Sequence, residues 1–240
     1  MEIFWKAIVE AGQLLVNMDK SVFQVILLSI RVSGTAVLIS ILIGMPLGFL
    51  LGLTRFRGRG VLAALVNTGL GFPPVVIGLF VYMSLSRSGP LGSLGLLFSP
   101  TAMVIAQVVL ATPYITAITM SAVGSVPRDV RLQAMGLGAS RLQVLWLIMR
   151  DARVSLMAAV IAGFGAVISE VGAVMMVGGN ISTSDSNVTR VMTTAIVEET
   201  TKGRYSTALA LGLVLLGIVF VVNLLLTHQQ QGLGGRWLNS

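Results

Sequence analysis

Cysteine is absent from the 240-residue chain, and histidine occurs once, at His228. Disulfides and thiolate metal sites are therefore excluded, and one imidazole cannot build a metal cluster. Charge is scarce as well, with Asp, Glu, Lys and Arg making up 10% of the residues. The net charge of +7 is spread too thinly for a nucleic-acid binder, whose basic residues cluster on one face. No G-x-x-x-x-G-K-[ST] run occurs, so the chain has no loop of that kind to cradle the phosphates of ATP. An intramembrane enzyme would need a Ser/His set, paired aspartates or a metal-ligand set within the spans. Glu170 is the one acid inside an apolar run, and no histidine accompanies it.

What is present is hydrophobic. Apolar residues make up 55% of the chain, and the mean hydropathy is +0.92. This composition predicts an all-α integral membrane protein. We read residues 1–240 as one domain with five transmembrane helices, about 22–53, 61–84, 101–123, 154–177 and 207–226. The mixed stretch before them, with Trp5 beside Glu2, Lys6 and Glu10, predicts an interfacial amphipathic helix. The tail from Thr227 to Ser240 is too short for an appended regulatory domain.

Small and helix-breaking residues punctuate the spans. Gly44, Gly48 and Gly52 recur every fourth residue and form a stripe that lets another helix approach closely, while Pro46 should bend the helix there. Gly71, Pro73 and Pro74 should break the second span. Such backbone marks either a transport path or a plain kink. The third span carries Gln107, Thr112, Thr116 and Thr119, whose polar groups either bond a neighbouring helix or line a pore. Arg31 and Glu170 sit at similar depth in antiparallel spans. They form a buried pair, or Arg31 snorkels to the headgroups.

Charge then orients the chain. One set of loops holds Arg55, Arg57, Arg59, Arg128, Arg131, Arg141, Arg150, Arg153 and Arg236 against Asp129 and Asp151. The other set balances its six basic and six acidic residues. The first face is therefore cytoplasmic by the positive-inside rule, with the N-terminus outside and the C-terminus inside. The Arg-rich loop 124–153 lies on that inner face.

Within this loop Ala134, Gly138 and Ile148 fit the spacing E-A-A-x-x-x-G, nine residues, I-x-L-P. Leu132, Gln133, Arg150 and Asp151 depart from it. The pattern resembles the ATPase-coupling loop of type I ABC importer permeases. A second block, Ser169-Glu170-Val171-Gly172-Ala173 through Gly178-Gly179-Asn180-Ile181, resembles the "GEFGA…GGNI" run of the molybdate and tungstate members. Pro73-Pro74-Val75-Val76-Ile77-Gly78 is similar to their second span, and Thr189–Thr200 is most similar to the tungstate branch.

The resemblance implies a permease that takes tungstate from an external binding protein, which is periplasmic or lipid-anchored. Molybdate, or another oxyanion such as sulfate, is the alternative cargo; a lone channel or scaffold is the reading from a different class. It implies a homodimer in the bacterial or archaeal cytoplasmic membrane, in contact with lipid and not with nucleic acid. A separate ATPase dimer would hold ATP and Mg, with no cofactor in this chain. Arg131, Ala134, Gly138, Ala139, Ser140 and Arg141 are the expected coupling residues. Arg128, Arg131 and Arg141 would pair with acids of the ATPase, or else serve only to fix orientation and meet lipid headgroups. Gly71, Pro73, Pro74, Thr112, Thr116 and Thr119 are the expected translocation path. The segment 178–205 would dock the binding protein or act as an outer gate, through Asn180, Ser182, Thr183, Ser184 and Asn187, or is a plain solvated loop.

Overall fold

The computed structural model describes residues 20–182 and 188–234, together with Trp5, Ile8, Val9, Gly12 and Gln13. Of residues 20, 21 and 231–234 it describes the backbone alone. Most of the expected interfacial helix, the residues Thr183, Ser184 and Asn187, and Arg236 lie outside these. The described N-terminal residues, Trp5 among them, are helical and exposed.

The fold is all-helical, with no β-strand among the described residues. In chain order the helices are α1 (Lys20–Leu53), α2 (Arg59–Gly69), α3 (Pro74–Leu85), α4 (Pro100–Gly124), α5 (Arg128–Gly136) and α6 (Arg141–Asp151). They continue as α7 (Arg153–Ile168), α8 (Gly172–Gly178), α9 (Met192–Thr201) and α10 (Tyr205–Gly234). Among the described residues, three stretches are long and apolar enough to cross a membrane unaided: Val22–Leu53, Pro100–Gly124 and Tyr205–Gln230. The number rises to five if α2 with α3, and α6 with α7, each count as one bent span.

The fourth span differs from the sequence expectation. It does not run unbroken to Val177, because α7 stops at Ile168 and α8 begins at Gly172. Its other end bends by 66° where α6 meets α7 at the buried Ala152. The second span breaks between Gly69 and Pro74, where the prolines remove backbone donors. The segment 178–205 is also more than a connector, since α9 occupies its second half.

By its internal contacts the chain divides into two compact units. One comprises residues up to 36, 72–110 and 165–222. Its core joins Ile77, Val81 and Leu85 of α3 to Met103 and Ala106 of α4 and to Val174 and Val177 of α8. Gly78 makes this possible: a Cβ there would lie 2.6 Å from the Ala173 Cα. A second cluster in the same unit seats Met192 and Ala195 of α9 against Val25 of α1 and Leu211 and Val214 of α10.

The other unit comprises residues 37–71, 111–164 and the described part of 223–240. Here the glycine stripe of α1 meets α4. A Cβ on Gly44 would lie 3.1 Å from the Thr112 carbonyl oxygen, one on Gly48 2.6 Å from the Thr119 Cβ, and one on Gly52 2.2 Å from the Val123 Cγ2. Residue numbers rise together along both partners, so these stretches of α1 and α4 run parallel. Below them Val144 and Ile148 of α6 pack with Ala122, Val123, Val126 and Leu156. One face of the Arg-rich loop is thereby anchored to the unit's core.

Candidate functional site

The hairpin formed by α5 and α6 is built from backbone rules. Gly138 has φ +87°, a left-handed conformation that favours glycine. Its amide donates to the Met135 carbonyl at 3.0 Å, and the next amide, of Ala139, donates to the Ala134 carbonyl at 3.0 Å. These two bonds are the Schellman closure of a helix, with the glycine just past the cap. Ala134 and Ala139, whose side chains flank the closure, both pack on the core below. The four-residue separation of Ala134 and Gly138 in the sequence pattern is thus the separation that this closure requires.

The next helix starts at once. Ser140 caps α6: its hydroxyl accepts from the Gln143 amide at 3.4 Å, and the Gln143 side chain accepts from the Ser140 amide at 2.7 Å. This reciprocal capping box satisfies two orphan donors and fixes the hairpin angle. The turn leaves apolar groups unpartnered at its tip. Leu137 is 89% exposed and Leu142 78%, with Trp146 beyond them on α6. Arg150 lies 5.5 Å from the Trp146 ring centroid, a cation–π pair one turn along the helix.

The arginines of this loop divide their roles. Arg128 and Arg141 are exposed. Arg131, for which pairing with an acid of the ATPase is one of two readings, turns inward within this chain. Its Nη2 donates to the carbonyls of Val123 at 2.8 Å and Val126 at 3.0 Å. The last carbonyls of a helix have no intrahelical donor and carry partial negative charge, so a guanidinium satisfies the end of α4. Arg59 does the same for α1, with Nε donating to the Leu51 carbonyl at 2.6 Å.

The residues expected along a translocation path separate into two groups. Thr116 and Thr119 are buried against the glycine stripe, and Thr116 donates to the Thr112 carbonyl at 2.7 Å. Thr112 donates to the Ser40 hydroxyl at 3.4 Å. Close approach of glycine backbone encloses Thr116 and Thr119 in the contact between α1 and α4. Gly71, Pro73 and Pro74 are exposed. At this break the Leu70 carbonyl accepts from the Tyr114 hydroxyl at 3.2 Å, so protein satisfies a group that a continuous helix would have paired.

The break before α8 is repaired in the same manner. Thr193 donates its hydroxyl to the Glu170 carbonyl at 3.0 Å, and buried Gln107 donates its Nε2 to the Val167 carbonyl at 3.1 Å. Glu170 Oε1 accepts from the Ala173 amide at 3.0 Å, supporting the first turn of α8. Arg31 is exposed, and no ion pair joins it to Glu170 among the described residues. Of the two readings of Arg31 and Glu170, the exposed Arg31 agrees with snorkelling, while the carboxylate sits on a helix start, where orphan amides favour an anion. A Glu three residues ahead of a small helical residue was the available sequence signal.

Segment 178–205 holds an ion-pair network that sequence reading missed. Arg190 reaches Glu198 and Glu199, each at 2.9 Å, and Arg204 approaches Glu199 at 3.4 Å. Asn180, with φ +51°, donates its Nδ2 to Glu198 at 2.9 Å, and Lys202 also pairs with Glu198. Glu199 is buried, which the two guanidiniums compensate. Burial acts to raise the Glu198 carboxyl. Hydrogen bonds from Lys202 and Asn180 and the charges of Arg190 and Lys202 outweigh it and hold the group below the ordinary carboxylate range. The amide of Met192 donates to the buried Ser29 hydroxyl of α1 at 2.8 Å, fixing the start of α9.

Residues 44–235 match the family described as binding-protein-dependent transport system inner membrane component. The chain belongs to this family. A probable anion ABC transporter permease protein of Haloferax volcanii is 46% identical to this transporter subunit over 198 residues, covering 82% of the chain and 85% of that protein. The tungstate uptake system permease protein TupB of Peptoclostridium acidaminophilum is 40% identical over 231 residues, covering 96% of the chain and all of that protein. Among solved structures, the MetNI methionine ABC transporter in an inward-facing form superposes with a TM-score of 0.72 at 15% identity, covering 90% of the chain and 98% of the matched one. The fold is that of a type I ABC importer permease.

Proposed function

We propose that this family member carries tungstate through the cytoplasmic membrane as the permease of an ATP-driven importer. The carrying observation is the 40% identity that spans the whole of a tungstate permease. The Thr189–Thr200 stretch, which resembles the tungstate branch, supports the same cargo and includes most of α9. An external binding protein selects the oxyanion, and two copies of this chain form the passage. Release suits such a passage, because spans without a basic cluster bind a doubly charged anion weakly.

ATP and Mg sit on a separate ATPase dimer, consistent with the lack of a P-loop in this chain. The α5–α6 hairpin is the mechanical link. Its exposed Leu137 and Leu142 enter a groove on the ATPase, and its anchored face transmits movement to α4 and α7. Orientation follows the arginine bias, with the N-terminus outside. The parallel packing of α1 on α4 agrees with one crossing between them and is indifferent to sidedness, which rests on the arginine bias alone. Gly71, Pro73 and Pro74 line the path at this bend.

Uptake of radiolabelled tungstate by cells carrying the chain with its neighbouring ATPase and binding protein tests the reading. Excess unlabelled molybdate should compete poorly. Equal competition would make molybdate a joint cargo, and absence of ATP-dependent uptake would overturn the assignment.

A further inference from the structure

Beside the coupling hairpin lies a basic cleft of about 720 Å³ with no assigned role. Four arginines line it: Arg55 and Arg59 from the end of α1 and the start of α2, and Arg128 and Arg131 from α5. Asp129, the acid nearest in sequence, is not among the lining residues, and no other acid lines the cleft. Arg59 and Arg131 are held in place by their bonds to helix-end carbonyls. Their guanidiniums therefore stay at the cleft whether or not a ligand is present. Arg55 and Arg128 are exposed and adjustable.

The surroundings are amphiphilic. The cleft opens where α1 and α4, two candidate spans, both end. Leu53, Val126, Leu132 and Met135 line it beside the arginines, and Leu132 and Met135 are exposed. A fixed pair of guanidiniums with two mobile ones fits a phosphate oxyanion, to which arginine can bind in bidentate fashion. Apolar walls beside the charges fit acyl chains. We propose that this cleft binds the phosphate headgroup of an anionic phospholipid, seated at the membrane-boundary ends of α1 and α4. A basic pocket between helix ends is a recurring recognition device for such headgroups. Free orthophosphate shares the charge chemistry but gains nothing from the apolar walls.

Native mass spectrometry of the assembled permease–ATPase complex, released from phosphatidylglycerol/phosphatidylcholine nanodiscs, tests this directly. The wild-type complex should retain phosphatidylglycerol in preference to phosphatidylcholine. The R55Q/R128Q variant, which leaves the two carbonyl-bound arginines intact, should lose about fivefold or more of that preference per arginine removed. Arg57→Gln removes the same charge from the same loop outside the cleft and should lose clearly less of the preference than removal of a cleft arginine. Millimolar orthophosphate should not displace the lipid. Equal loss in the Arg57→Gln control would reduce the effect to general surface charge and overturn the site. Displacement by orthophosphate would assign the cleft to a soluble anion instead. A preference seen in the isolated permease but abolished by the ATPase would give the arginines to the partner chain. Either result defeats the lipid assignment.

Discussion

Gly52 of α1 and Val123 of α4 lie so close that a Cβ on the glycine would stand 2.2 Å from the valine Cγ2. One turn earlier Gly48 faces the Thr119 Cβ at 2.6 Å and the Thr116 carbonyl at 2.8 Å. The contact therefore involves backbone, which cannot rotate aside. Alanine gains about 1 kcal/mol over glycine in helix propensity, whereas overpacking costs about 1–3 kcal/mol. At Gly44, where the nearest atoms are 3.1 Å away, the two effects nearly cancel. Gly44→Ala should leave thermal stability in detergent almost unchanged, while Gly48→Ala should lower it clearly. Equal stability of the two variants would contradict the packing described.

Gly138 poses a different constraint, for nothing lies within 4 Å of where its Cβ would be. Only φ is restrictive. Gly138→Asn should therefore be tolerated, and Gly138→Val, a β-branched residue at positive φ, should cost on the order of 1–3 kcal/mol. The valine variant should insert normally yet hydrolyse ATP without matched tungstate uptake. Paired measurement of phosphate release and uptake in proteoliposomes decides this, and full uptake by the valine variant would remove the hairpin from coupling.

Glu170 and Arg31 should behave independently. Glu170→Gln keeps an oxygen for the Ala173 amide and should be mild. Glu170→Ala strands that amide and should cost about 1 kcal/mol. Combining Glu170→Gln with Arg31→Gln should give additive changes in unfolding temperature. Rescue in the double variant would reveal a pair that the geometry does not contain.

Glu198 carries the pH dependence. Its folded pKa lies below the ordinary value, so its contribution to stability is fully present above about pH 4.3. That contribution is lost as pH falls through the depressed folded value. Thermal stability of the detergent-solubilised protein should fall below about pH 4.3, and Glu198→Gln should flatten that fall. An unchanged acid limb in the variant would show that other carboxylates govern it.

Much of this architecture was legible in the residues. Apolar run length predicted the membrane fold, adjacent prolines predicted the break before α3, and a four-residue glycine period predicted a close helix contact. Each of these is a local signal with a direct steric cause. The partner of the stripe was not local: nothing in Thr116 or Thr119 distinguishes a hydroxyl under a glycine from one facing a pore. The break at Ser169–Val171 escaped notice because the groups that satisfy it, Thr193 and Gln107, lie 23 and 60 residues from their acceptors. The Arg190–Glu198–Glu199 network was similarly hidden, since balanced charge in sequence does not reveal which groups meet.

The Schellman closure has a consequence for how freely this loop can vary. Its shape depends on a left-handed glycine, a small residue four positions earlier and an apolar anchor at Ile148, with a capping serine after the turn. The Schellman bonds themselves are main-chain, Gly138 to Met135 and Ala139 to Ala134, so they ask for no particular side chain at residues 132 and 133. Leu132 and Gln133 stand where Glu and Ala are usual, and Arg150 and Asp151 where Leu and Pro are usual, yet the turn still closes. The hairpin is therefore a joint set by two main-chain bonds and one side-chain capping box. On the coupling role proposed above, its outer surface remains open to be rewritten for the ATPase it would meet.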